Sequence, residues 1–163
     1  MGPPVALRTI LVTSDFSDLA REAYRWAASL ARGSGARIVV AHVLEEDLAA
    51  AIPVLPGGVQ PEVIDLPRFR EESRKAAAEA LEGVAEEFRR EGLAAETAIR
   101  PGRPFVEIVR LARELPADLI VMGTHGRSGL RHALIGSVAE RVVRKSPCPV
   151  LTVKQPGASF ESP

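Results

Sequence analysis

The residue pattern best suited to chemistry lies late in the chain, where Gly123-Thr124-His125-Gly126-Arg127-Ser128-Gly129 is followed by Gly136-Ser137. Two residues separate Gly123 from Gly126, nine separate Gly126 from Gly136, and Ser137 follows at once. Glycines so placed let a backbone approach a bulky anion, and a serine that opens a helix sits among free N–H groups that attract negative charge. Arg127 and Arg131 add positive charge. The segment therefore suits phosphates. With glycine at about 7% of residues, three at set positions followed by Ser or Thr arise by chance in roughly one chain in a hundred of this size.

A second segment, Thr13-Ser14-Asp15-Phe16-Ser17, has complementary chemistry. Asp15 would repel phosphate, yet it can accept hydrogen bonds from ribose hydroxyls or an adenine amino group. A nucleotide laid across the two segments satisfies both. Each residue also has a plainer reading. Asp15 can tie its own turn or help cap the helix that follows. Ser137 can serve as an N-cap, a role that leaves its proton for a phosphate. Gly123 can simply end a strand, and Gly126 and Gly129 can serve turns. His125 can be imagined as an acid or base, but a loop histidine beside phosphates more often donates a hydrogen bond. His42 alternates with Ile38 and Val40 and reads as a core-side histidine whose ring is satisfied.

Other known patterns do not fit. The chain has no G-x-x-x-x-G-K-[ST], no G-x-G-x-x-G and no G-x-S-x-G elbow. No Cys/His cluster has metal-ligand spacing. The signal is one of binding, and the catalytic signal is weak.

The elements that must position these segments alternate along the chain. Short apolar runs at Thr9–Thr13, Arg37–Leu44, Glu96–Arg100, Leu119–Met122 and Val150–Val153 predict five strands. Such continuous runs belong to a parallel sheet covered on both faces. Between them, Leu19, Ala23, Trp26, Ala27 and Leu30 form a helical stripe with Ser17 as N-cap and Gly33 as stop. Phe69, Ala77, Leu81, Val84 and Phe88 form a longer stripe ending at Gly92. Phe105, Ile108, Val109 and Ala112 form a third, entered through Pro104. Ser137 and Glu140 match a capping box for a last helix that presents Val138, Val142 and Val143. The fold class is α/β, a doubly wound sheet with right-handed crossovers. If the first and fourth strands are neighbours, the loops after Thr13 and Met122 meet at the carboxyl ends of the strands, where open α/β sheets bind ligands.

Length and composition bound the rest. The 163 residues make a single domain, 1–163, with a core at about 7–154. The 45–67 segment, with four prolines and Gly57-Gly58, is expected to be a mobile excursion, and 155–163 a frayed tail. The 21 basic residues balance 21 acidic ones, which gives no reason to expect nucleic-acid or anionic-membrane binding. No apolar run reaches the roughly 20 residues of a spanning helix, and no signal-peptide pattern opens the chain. The single cysteine, Cys148, reads as a small buried filler. A cytoplasmic location is expected.

Several stretches together resemble the universal stress protein family. They are Ile10-Leu11-Val12-Thr13-Ser14-Asp15-Phe16-Ser17, the ending His42-Val43-Leu44, Gly102-Arg103-Pro104, Met122 through Gly129 with Gly136-Ser137-Val138, and Cys148-Pro149-Val150-Leu151-Thr152-Val153. The resemblance covers roughly Leu7 to Lys154, and its most specific part is the G-2x-G-9x-G-[ST] spacing that marks the family's ATP-binding members. It implies a five-stranded parallel sheet of order 3-2-1-4-5 with helices on both faces, and a homodimer. It also implies ATP as ligand, with a divalent ion such as magnesium or manganese held mainly by phosphates and water. Carried over by position, Thr13 and Asp15 would border the nucleoside and the Val43 backbone would meet the adenine edge. Gly123, Thr124, His125, Gly126, Arg127 and Gly129 would line ribose and phosphates, and Gly136, Ser137 and Val138 would close on the phosphate chain. Thr13 stands where ATP-binding relatives often have proline.

The function these readings favour is a nucleotide-responsive regulatory or protective module, not an enzyme. The alternatives are a slow ATP hydrolase and a dimeric partner-binding scaffold that nucleotide stabilises. The strand at 150–153 falls at a sheet edge in this order, and its apolar residues predict pairing with a second copy.

Overall fold

The computed structural model describes residues 6–45, 66–124 and 135–154. Five strands and four helices alternate: β1 Thr9–Thr13, α1 Asp18–Ser34, β2 Arg37–Leu44, α2 Leu66–Arg90, β3 Ala95–Pro101, α3 Pro104–Glu114, β4 Leu119–Gly123, α4 Ser137–Lys145 and β5 Val150–Val153. The sheet is wholly parallel, in the order β3-β2-β1-β4-β5. This is the expected doubly wound α/β arrangement, and the expected strands fall within a residue or so of the observed ones. The excursion expected at 45–67 lies mostly outside the described residues, and Leu66 and Pro67 already belong to α2. The tail 155–163 also lies outside them.

Side chains alternate across the sheet, and both faces are buried. Ile10, Val12, Ile38, Val40, Val121 and Val153 face one core with α1 and α2. Leu11, Val39, Ala41, Ile120 and Met122 face the other with α3 and α4. The central strands, buried on both faces, are apolar at nearly every position and so read as continuous runs, whereas the edge strand β3 exposes Glu96 and Thr97.

The helices depart from their expected faces. Helix α1 buries Ala20, Ala23, Tyr24, Ala27, Ala28 and Ala31, while Trp26 is 52% exposed. Alanines let the helix lie close on a sheet whose own Ile and Val side chains fill the layer, so the bulky Trp26 turns outward. Phe69 is exposed because the first turns of α2 stand away from the core, which α2 enters only at Ala77. Val143 of α4 is exposed as well, with Ala139 and Val142 facing inward.

The ends of the helices also differ in part. Ser17 caps α1 as expected, its Oγ accepting from Ala20 N at 3.2 Å. The stop is Gly35, not Gly33: Gly35 takes φ +74° and its N–H returns to Ala31 O at 2.8 Å. Pro104 opens α3 as expected. Cys148 is half-buried against the α3–α4 core, its N–H donating to Ser146 Oγ at 3.2 Å.

Candidate functional site

Strands β1 and β4 are neighbours, with Val12 opposite Val121, so the chain leaves the sheet after Thr13 and after Gly123 at adjacent points. This is where the strand order reverses direction. Strand β2 runs on past the end of β1, whose last paired residue, Thr13, lies opposite Ala41. Alternate residues of a strand direct their N–H and C=O to the same neighbour. Ala41 O accepts from Ser14 N on the β1 side, and Leu44 O accepts from Gly102 N on the β3 side. The backbone of Val43 therefore faces the β1 side, beyond the point where β1 has turned away. A peptide edge with one donor and one acceptor is thus presented along the crevice.

The loop after β1 is tied closely. Ser14 N donates to Ala41 O at 2.7 Å, and His42 Nδ1 donates to Ser14 O at 2.7 Å. A carbonyl only accepts, so the His42 proton sits on Nδ1. Ser14 Oγ accepts from Phe16 N at 3.2 Å and makes a short, buried hydrogen bond with the Tyr24 hydroxyl. Phe16 takes φ +62°, and its ring lies 4.6 Å from that of His42. Asp15 Oδ1 accepts from Ser17 N at 3.0 Å and from Ser17 Oγ at 2.6 Å, while Ser17 Oγ in turn caps α1. The plainer reading of Asp15, that it ties its own turn and supports the cap, therefore describes part of what the residue does. Thr13 and Asp15 are half-buried at the crevice wall.

The second loop is described at its two ends. Thr124 N donates to Val153 O at 2.9 Å, and Gly136 N donates to Thr124 O at 2.6 Å. Those bonds clamp the start of α4 onto the end of β4, bringing the first and last glycines of the spacing together. The cap of α4 is Gly136, with φ −75° and ψ 155° and no side-chain bond, so the expected Ser137–Glu140 capping box does not form. Glu140 N makes the first intrahelical bond, to Gly136 O at 2.9 Å, and Glu140's carboxylate pairs with Arg144 at 3.3 Å. The N–H groups of Ser137, Val138 and Ala139 thus come before the first helical bond, at an end that carries partial positive charge. A glycine cap offers them no side-chain oxygen. Ser137 is one position inside the helix and exposed, so its hydroxyl does not serve as the cap.

Of the sequence-derived site residues, Thr13, Asp15, Val43, Gly123, Thr124, Gly136, Ser137 and Val138 are brought to this one edge of the sheet. His125, Gly126, Arg127 and Gly129 lie outside the described residues. Three participants escaped the sequence reading. His42, expected as a core-side histidine, is half-buried and holds the first loop. Ser14 and Tyr24 hold it from inside, and burial of Tyr24 pushes its phenol pKa up, keeping the hydroxyl protonated. A lone polar-tipped aromatic on an alanine face was the available signal for Tyr24. The arrangement combines a carboxylate and a free peptide edge at one end with helix N–H donors at the other. Among the described residues no group of His, Cys, Asp and Glu could hold a metal ion.

Comparison with known proteins bears on the family and the fold. Residues 6–154 match the model of the universal stress protein family. Universal stress protein MJ0531 of Methanocaldococcus jannaschii is 36% identical over 149 residues, covering 91% of this chain and 83% of the relative. Among solved structures, that of MJ0577 superposes with a TM-score of 0.79 at 28% identity, covering 93% of this chain and 98% of the other. A universal stress protein from Archaeoglobus fulgidus in complex with dAMP superposes with a TM-score of 0.62 at 26% identity, over 93% of this chain and all (100%) of the other. A universal stress protein in complex with cAMP gives a TM-score of 0.65 at 27% identity, over 91% and 97% of the two chains. With a family model matched over nearly the whole length and the same strand order in the fold, the chain belongs to the universal stress protein family.

Proposed function

We propose that the chain binds ATP across the β1 and β4 loops and acts as a nucleotide-responsive regulatory or protective module. The observation that carries this reading is the N-terminus of α4, capped by a bare glycine and clamped to the end of β4 by the Gly136–Thr124 bond. Three N–H donors there suit a phosphate chain. Asp15 and the Val43 backbone lie toward the other end of the crevice and suit ribose and adenine. Two structural neighbours hold dAMP and cAMP, which supports an adenine nucleotide as the ligand class. ATP is preferred to a shorter nucleotide because the G-2x-G-9x-G-[ST] spacing, carried here by Gly123, Gly126, Gly136 and Ser137, resembles that of the family's ATP-binding members. A divalent ion would accompany the phosphates. The active form is a homodimer joined through β5.

Titration calorimetry on the purified chain tests the ligand. ATP is expected to bind at one site per chain, adenosine much more weakly, and the ATP to be recovered intact after hours. Equal affinity for ATP and adenosine would overturn the phosphate part of the reading.

A further inference from the structure

We propose that Tyr24 is a positioning residue for the nucleoside end of the site: acting through Ser14, it holds Asp15 where a bound nucleoside meets it. The proposal rests on the nucleotide reading above. Asp15 sits between two residues with exacting conformations. On one side Ser14 is fixed at every polar atom, its N–H on Ala41 O, its carbonyl under His42 Nδ1, and its Oγ shared by Phe16 N and the Tyr24 hydroxyl. On the other side Phe16 has φ +62°, a left-handed conformation that phenylalanine rarely takes and that only its surroundings can maintain.

The tie that bends the chain at Phe16 is its N–H bond to Ser14 Oγ. That bond requires one Ser14 rotamer, and the Tyr24 hydroxyl selects it. Tyr24 is well placed to do so. It comes from the buried face of α1, and its ring meets Phe88 of α2 edge-on at 6.1 Å and 73°. Both hydroxyls are buried, so water cannot replace a lost partner without opening the loop. Without the Tyr24 hydroxyl, Ser14 Oγ gains another rotamer, Phe16 N–H loses its acceptor, and the left-handed turn relaxes. Asp15 is then held from the Ser17 side, at the N-cap of α1, without the support from Ser14.

Tyr24→Phe keeps the ring and removes only the hydroxyl. A purely structural Tyr24 would lower thermal stability and leave ligand affinity unchanged well below the melting temperature. A positioning Tyr24 weakens adenosine, AMP and ATP alike, by about tenfold, the size of one lost hydrogen bond. It leaves the binding of inorganic tripolyphosphate unchanged. Repeated in an Asp15→Ala background, Tyr24→Phe is expected to change affinity by less than about twofold, because the group it positions is gone. Ser14→Ala approaches the same bond from its other end and is expected to give the same pattern; it also serves if Tyr24→Phe folds poorly. Amide hydrogen exchange is expected to speed up at Phe16 and Ser17 in Tyr24→Phe, with Leu11 and Val12 unchanged.

An unchanged adenosine affinity in both variants overturns the proposal, as does an equal loss with and without Asp15. Should the parent chain bind no adenine nucleotide, the functional reading fails and exchange alone decides whether Tyr24 positions Asp15. Unaltered exchange at Phe16 and Ser17 then overturns the proposal too.

Discussion

Single side chains in this protein act mainly by fixing backbone. Asp15 and Ser14 hold the first loop, and Asp118 does the same at the opposite end of β1. Its Oδ2 accepts from Arg8 N at 2.8 Å and Thr9 N at 2.9 Å, and these two bonds hold its carboxyl below the usual carboxylate range. A carboxyl lowered in the folded state stabilises the fold above its unfolded pKa of about 3.9 and loses that contribution as pH falls through the lower folded value. Hydrogen bonds to a charged group contribute about 1.5–3 kcal/mol when buried, and the half-exposed position of Asp118 brings the expectation for the pair to about 1 kcal/mol. Asp118→Ala is therefore expected to lower the melting temperature by roughly 2–4 °C near neutral pH. The gap between variant and parent should close as pH falls below the usual carboxylate range, through the lowered folded-state value. A gap of constant size down to acid pH would assign the effect to packing rather than to the charge.

At the scale of the element, the proposed nucleotide reading makes the start of α4 the place where folding and binding should separate. Gly136 has φ −75° and ψ 155°, dihedrals open to any residue, so glycine is not required there by the backbone. What glycine supplies is access, since it places no side chain over the N–H groups of Ser137, Val138 and Ala139. In Gly136→Val a branched side chain stands at that opening. Valine is a poorer cap than glycine, which costs the fold about 1 kcal/mol. Loss of two phosphate hydrogen bonds, at about 1.5–3 kcal/mol each, weakens ATP binding by roughly two orders of magnitude or more. The variant is expected to keep the parent's circular dichroism and a cooperative melt while ATP no longer raises its melting temperature. Persistence of the full ATP-induced shift would make the glycine spacing purely structural.

At the scale of the whole molecule, β5 is the open question that the sheet order poses. Among the described residues it pairs with β4 alone, leaving its other edge without a neighbouring strand. Pro149 O accepts from Ile120 N of β4 and Val153 O from Thr124 N just after it, so Pro149, Leu151 and Val153 direct their backbone inward, and Val150 and Thr152 direct theirs outward. A two-fold dimer pairing β5 with its copy would use the N–H of Thr152. Thr152→Pro removes that donor and spares the bonds to β4, whereas proline at Leu151 would break the β4 ladder itself. Light scattering is expected to find monomers for Thr152→Pro at concentrations where the parent is dimeric. A dimer of unchanged size would move the interface away from this strand.

Hydrophobic patterning was enough to place the strands and their parallel arrangement, most plainly for the central ones, where burial on both faces leaves few polar positions; the edge strand β3, with Glu96 and Thr97 exposed, gave the weakest run. The glycine spacing and Asp15 stood out as a proposed site for a chemical reason: a phosphate would need bare backbone, and a ribose an acceptor. The faces of the helices were not legible. An apolar-stripe reading favours large side chains, and α1 packs on alanines with Trp26 turned outward. Nor could spacing choose between Gly136 and Ser137 as the cap of α4. The bond from Gly136 N to Thr124 O settles that point, and it joins residues whose proximity depends on the chain returning to the end of β4. The same holds for Ser14, His42 and Tyr24: they come from a loop, a strand and a helix, and only the packing of α1 against the end of β1 and the overhang of β2 bring their polar atoms within bonding distance.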